Sequence, residues 1–253
     1  MNTLVRIQQT FTGTSDGYIG IRLSDGQFVN DGIFALILLL FVLFSIMYRR
    51  NFRLFLKTVQ DFRYVKERQS LFLHSSNNEP FFRNFMTFQT LALTSLFLFS
   101  VSRLYGWIRP GISGETALLI LSGLFLILLV YYQFKQLLYF GTGMVFFGKS
   151  AYRLWKTGYN AVFALLGVFL YLPVVWLSYV GSYQQVAIWL FIILFIFSRF
   201  VIIYKIIRIF YRKGDNLLYL ILYLCTQEIL PLVFLYEGLV YLYNFIETST
   251  LWH

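Results

Sequence analysis

Two charged side chains stand inside apolar runs in the last quarter of the chain. Arg199 lies in Leu-Phe-Ile-Phe-Ser-Arg-Phe-Val-Ile-Ile-Tyr, and Glu228 lies in Tyr-Leu-Cys-Thr-Gln-Glu-Ile-Leu-Pro-Leu. A carboxylate held away from water can carry a proton or help to hold an ion. Facing an arginine, it can instead form a neutral pair that fixes two helices in register. Gln227 adds a neutral donor and acceptor beside Glu228. Pro231 lacks the amide that would bond to the Gln227 carbonyl, so it predicts a kink and a freed carbonyl next to the acid.

The intervening turn, Arg212-Lys213-Gly214-Asp215, is short enough to make the two runs antiparallel neighbours. Arg199 and Glu228 each stand about 14 or 15 residues from its midpoint, or about 22 Å along their helices at 1.5 Å per residue. Equal depth predicts that they face each other, directly or through Gln227 or a water. Pairing is favoured because one unpaired charge near the bilayer centre costs about 2.5 to 3.5 kcal/mol on insertion scales.

Those runs belong to a chain whose solvent is lipid. Of 253 residues, 58% are hydrophobic and 13% charged, against roughly half and about a quarter in an ordinary soluble domain. Lipid cannot satisfy backbone groups, so the runs must be helices or a closed barrel, and they are continuous where barrel strands would alternate. The expected fold is all-α: a polytopic membrane bundle of about six spans. They are placed at 32–48, 84–102, 116–134, 159–179, 186–204 and 217–236, with the fifth able to reach Phe210 and the sixth Ile246. The expected organisation is an extracytoplasmic tail over 1–31, a transmembrane domain over 32–246 and a short extracytoplasmic tail over 247–253.

Charge orients the set. Sixteen of the 21 Lys and Arg residues fall in the connections after runs one, three and five; Arg6, Arg22, Arg103 and Arg109 fall in the others. Positive residues are retained in short cytoplasmic loops, so both termini are expected outside the cytoplasmic membrane. Trp107, Trp176, Trp189 and Trp252 fall near the predicted outer boundary and Trp155 near the inner one, as an aromatic belt requires. This sorting turns the formal charge of +10 into a membrane-surface signal and excludes nucleic acid as the expected partner. The polar N-terminus does not resemble a cleavable signal peptide, and the first membrane helix is expected to do the targeting.

The first basic connection, 49–83, has a pattern of its own. Phe52, Phe55, Leu56, Val59 and Phe62 recur at three- and four-residue steps, with Arg53, Lys57 and Asp61 on the opposite ridge. With Arg49, Arg50 and Arg63 this is a basic amphipathic helix. It is a topology-setting loop, a helix lying on anionic lipid headgroups at about 1 kcal/mol per near-surface cation, or a docking face for a partner. Segment 136–148 is apolar but too short to span; it extends the third helix or re-enters the membrane.

Other chemistries have little to stand on. Gly141-Thr142-Gly143 follows no strand and lacks the Gly-Lys-Ser/Thr pattern of a phosphate loop. Two histidines, His74 and His253, and one cysteine, Cys225, predict neither a metal site nor a disulfide framework. No cofactor is expected. A membrane-lipid enzyme should cluster Asp, His or Arg at one face. A transporter should converge polar residues at midplane, where only Arg199, Glu228, Gln227 and Gln89 are candidates.

The segment Leu-Tyr-Leu-Cys-Thr-Gln-Glu-Ile-Leu-Pro-Leu, 222–232, resembles the C-terminal signature of an uncharacterised family of integral-membrane proteins of Bacteroidota, a domain of unknown function. Similar features are Arg-Arg-x-Phe after the first run, Asp-Phe-Arg-Tyr at 61–64, Lys135 after the third, Leu-x-Leu-Pro-Val at 170–174 and Tyr-Lys-x-x-Arg at 204–208. The resemblance implies an inner-membrane location and a cell-envelope context, and supplies no activity. The reading that follows is a non-enzymatic inner-membrane subunit or assembly factor, with other membrane subunits as partners. A proton- or ion-coupled small transporter is the alternative.

Overall fold

The computed structural model describes residues 27–63, 79–108, 112–142, 148–180, 183–210 and 230–251. Among these there is no strand. The helices are α1 (Gln27–Arg50), α2 (Phe52–Arg63), α3 (Glu79–Leu104), α4 (Gly114–Thr142), α5 (Gly148–Phe169), α6 (Tyr171–Tyr179), α7 (Gln184–Phe210) and α8 (Leu230–Leu251). Five stretches are long and apolar enough to cross a membrane: Val29–Arg50, Glu79–Leu104, Gly114–Gly141, Trp155–Tyr179 and Gln184–Arg208. Most of the sixth expected run lies outside the described residues, which resume at Leu230. The helices exceed the apolar runs because they continue through the headgroup zone, where Glu79, Arg83, Arg103 and Arg208 are tolerated. α1 therefore starts inside the segment assigned to the N-terminal tail, and α8 ends inside the C-terminal one.

α3 is the central helix, packed against α1, α4, α5 and α6. Glu79–Leu104 and Trp155–Tyr179 bury 56% of their most apolar windows and the other three spans at most 22%, which places those two inside and leaves three facing outward. The sequence of α3 explains its position. Its hydroxyls bond back to carbonyls of its own helix: Thr87 to Arg83 (3.1 Å), Thr90 to Met86 (2.8 Å), Thr94 to Thr90 (2.7 Å) and Ser102 to Leu98 (2.8 Å). Small satisfied residues permit close helix approach in a membrane. At the closest point the Thr90 hydroxyl also bonds to the Phe163 carbonyl of α5 at 3.1 Å. A Cβ on Gly167, one turn further along α5, would lie 3.2 Å from the Thr90 Cα. Toward the far end of α3, Phe97 stacks flat on Phe191 of α7 at 4.0 Å.

Two details refine the run-by-run expectation. The fourth span is helical throughout, with Leu170 in the right-handed helical region, but one bond is missing from its ladder where α5 meets α6. Pro173 cannot donate to the Phe169 carbonyl and its ring crowds that turn. The ladder resumes with Val174 donating to Leu170 at 3.1 Å. In addition α4 runs unbroken to Thr142, so of the two expectations for 136–148 residues 136–142 follow the extension of the third helix.

Candidate functional site

The chain threads so that the ends of α1 and α4 and the starts of α3 and α5 share one end of the bundle with the end of α7. α2 lies across this end against α5. Its siding follows from its wheel. Leu54 and Phe55 pack on a cluster of Phe82, Met86 and Ala164, and Phe62 packs on a second cluster that includes Tyr139, Trp155 and Tyr159. Lys57 turns to α3, where its Nζ donates to both oxygens of Glu79 at 2.9 Å. This pair is 41% and 28% exposed, so it contributes no more than about 1 kcal/mol. Arg49, Arg50 and Arg53 are exposed, as are the apolar Phe52 and Leu56. The ridge opposite the apolar stripe thus divides. Arg53 meets solvent or headgroups, while Lys57 and Asp61 are half-buried toward the bundle.

Two lysines are buried here. Lys205 of α7 is 4% exposed, and its Nζ donates to the backbone carbonyl of Asp61 at 2.6 Å. Asp61 is in the last turn of α2, whose carbonyls have no partner within the helix and carry the negative end of its dipole. An ammonium is the matching cap. The same Nζ lies 5.6 Å from the centre of the Phe62 ring. Gly158 of α5 leaves room for the lysine stem, since a Cβ there would meet Lys205 Cδ at 3.4 Å. Lys135 of α4 is fully buried, with its Nζ 5.7 Å from the ring centre of Tyr139 and 5.8 Å from that of Tyr159. Aromatic faces attract cations most when water is excluded.

The aromatic rings form a continuous packing. Tyr139 stacks on Trp155 at 3.8 Å and Trp155 on Tyr159 at 5.1 Å. Beside them the Tyr132 hydroxyl donates to Asn160 Oδ1 at 3.3 Å and accepts from Gln136 Nε2 at 3.2 Å. Between α2, α3 and α5 a cavity of about 40 Å³ is walled by Lys57, Asp61, Glu79, Arg83 and Asn160. The arrangement can hold charges and bridge them, and among the described residues the cavity it walls has room for about one water.

Arg199 stands in α7, six residues before Lys205. It is half-buried, with its guanidinium carbon 4.6 Å from the centre of the Phe195 ring. Glu228 and Gln227 lie outside the described residues, and so does the proposed contact with Arg199. Pro231 is buried in the first described turn of α8. α8 packs against α4, where Phe234 meets Phe134 edge-on at 5.9 Å. The side chain of Arg63, at the end of α2, is also outside the described set.

Sequence reasoning placed Lys135 and Lys205 with loop charges and missed their burial. The signal was local: Lys205 sits in Val-Ile-Ile-Tyr-Lys-Ile-Ile with no break from the preceding run, and Lys135 sits among Tyr131, Tyr132, Phe134 and Leu137. Three segments singled out by resemblance meet here: Asp61-Phe62, Lys135 and Tyr204-Lys205. Gln89, in the middle of α3, is fully buried, and among the described residues neither its Nε2 nor its Oε1 has a hydrogen-bond partner.

A family model described as "Domain of unknown function (DUF4271)" matches residues 33–239. The chain belongs to this family. No curated protein and no solved structure matches it.

Proposed function

We propose, starting from membership of this family of unknown function, that the protein is a non-enzymatic integral subunit or assembly factor of a cell-envelope complex in the inner membrane. One observation carries the reading. The buried polar and charged groups tie helix to helix, as Lys205 does with the Asp61 carbonyl and Thr90 with that of Phe163. Residues organised for packing suit a scaffold more than a turnover site. The outward faces of α1, α4 and α7 supply wide apolar surfaces for lipid and for other membrane subunits.

With the buried Lys135 and Lys205 set aside, a fourteen-to-four charge asymmetry still supports a cytoplasmic placement of the basic end and extracytoplasmic termini. In that orientation α2 lies in the inner-leaflet interface. Phe52 and Leu56 enter the acyl boundary, and Arg49, Arg50 and Arg53 meet anionic headgroups.

A second reading, proton- or ion-coupled transport through an Arg199/Glu228 pair, is favoured by the half-buried arginine inside the α7 span. Glu228→Gln separates the two. A structural pair predicts low protein abundance, restored when Arg199 is also changed to Gln. Normal abundance with lost ion or proton flux would overturn the scaffold reading. Stoichiometric retention of a second polypeptide through mild-detergent purification is its positive signature.

A further inference from the structure

At the end of the bundle away from the lysines, α1, α3, α6 and α7 enclose a cleft of about 430 Å³. This size and a mixed lining are typical of ligand sites. Its floor is apolar, made by Ile33, Ile108 and Leu177, and hydrogen-bonding groups from four elements stand above it. Arg103 is the one formally charged residue in the lining. Its Nη1 donates to Asn30 Oδ1 at 2.7 Å, and among the described residues no carboxylate forms an ion pair with it. A guanidinium carries five N–H donors in a planar fork, so the bond to Asn30 leaves most of them for a ligand. The Tyr179 hydroxyl donates to the Asn30 carbonyl at 3.4 Å, and the Ser100 and Ser178 hydroxyls face each other at 3.4 Å. Each hydroxyl keeps capacity for a further bond. Asp31 is exposed beside this region and is not part of the lining.

The position of the cleft narrows the ligand. It opens at the ends of the spans, beside Tyr105 and Trp107, which are 51% and 58% exposed. Exposed Tyr and Trp at span ends mark the headgroup level of a bilayer. A single arginine with nearby hydroxyls selects an anionic oxygen group. Ile33 and Leu177, buried in the bundle core where they line the cleft, favour a ligand that also carries an apolar portion. We propose that this cleft binds a phospholipid by its phosphate, with Arg103 on the phosphate oxygens, the serine hydroxyls on the glycerol portion and the first chain methylenes on the apolar floor. This site is separate from the basic end and goes beyond the scaffold reading.

The test uses the full chain in detergent, titrated with dioctanoyl phosphatidylglycerol and, separately, with glycerol 3-phosphate and with dioctanoylglycerol. The first should raise the unfolding midpoint saturably, because a ligand that binds only the folded state stabilises it by mass action; the other two should not. Arg103→Gln should weaken the apparent affinity at least tenfold without changing the unliganded midpoint, and Arg103→Lys should fall between. Ser178→Leu fills the cleft and should weaken binding by an independent route if Arg103→Gln fails to fold. An equal response to glycerol 3-phosphate would overturn the lipid assignment in favour of a soluble phosphoester. An equal response to dioctanoylglycerol, or unchanged affinity in Arg103→Gln and Ser178→Leu, would overturn the phosphate site.

Discussion

Lys205 Nζ and the backbone carbonyl oxygen of Asp61 stand 2.6 Å apart across 144 residues of chain, and they join the end of a membrane-spanning helix to the end of a surface helix. The contact is short because it is charge-assisted, and it satisfies a carbonyl that α2 itself leaves open. It also sets where α2 sits. With Phe62 under the ammonium and Leu54 and Phe55 on the bundle, the outward edge of α2 carries Phe52, Arg53, Leu56 and Gln60.

Lys205→Met should therefore act locally. Hydrogen bonds to charged groups contribute about 1.5 to 3 kcal/mol, but an apolar replacement also removes the cost of burying an ammonium. The expected outcome is faster amide hydrogen exchange over residues 52–63 in nanodiscs, with α3 and α5 unchanged. Uniform acceleration across the bundle would mean that Lys205 supports the core and not the surface helix.

Gly167→Ala addresses the tightest helix contact. The new methyl overlaps the Thr90 hydroxyl and lies 3.1 Å from the Thr90 Cβ and 3.2 Å from its Cα, a backbone atom that cannot give way without moving α3. Overpacking of this kind costs about 1 to 3 kcal/mol. A fall in the thermal midpoint is expected. Thr90→Ala in the same chain should recover only part of it, because the Cβ stays in place.

Gln89→Leu should raise stability. The amide is fully buried with both polar atoms unbonded among the described residues, and such a group costs about 1 to 3 kcal/mol by mutational estimates. Leucine fills a similar volume without that cost. A lower midpoint in the variant would reveal that Gln89 serves a bound ion, water or ligand.

How much of this was legible beforehand depended on the scale of the signal. Continuous apolar runs outweigh every local preference in lipid, so the all-helical architecture and the positions of five spans could be read from composition and hydropathy alone. The extension of α7 to Phe210 and the helical nature of 52–63 followed from period and charge. What could not be read was which charges the helices carry inward. Lys135 and Lys205 look like loop residues when counted by distance from an apolar run, because a count ignores the Tyr159 and Phe62 rings that α5 and α2 bring to them. The missing ladder bond at Phe169 was hidden for a different reason: Pro173 lacks the donor, yet hydropathy continues straight through it. The siding of α2 was half legible. Its stripe was visible, but Lys57 and Asp61 find Glu79 and Lys205 only through tertiary contacts.

We propose that the protein works as a packed, membrane-embedded member of a larger assembly. Native mass spectrometry of the protein released from nanodiscs formed directly from its own membrane tests that claim most directly. The account predicts a particle heavier than the 29.9 kDa chain, containing a second polypeptide in fixed stoichiometry. A particle of 29.9 kDa carrying lipid alone would contradict it.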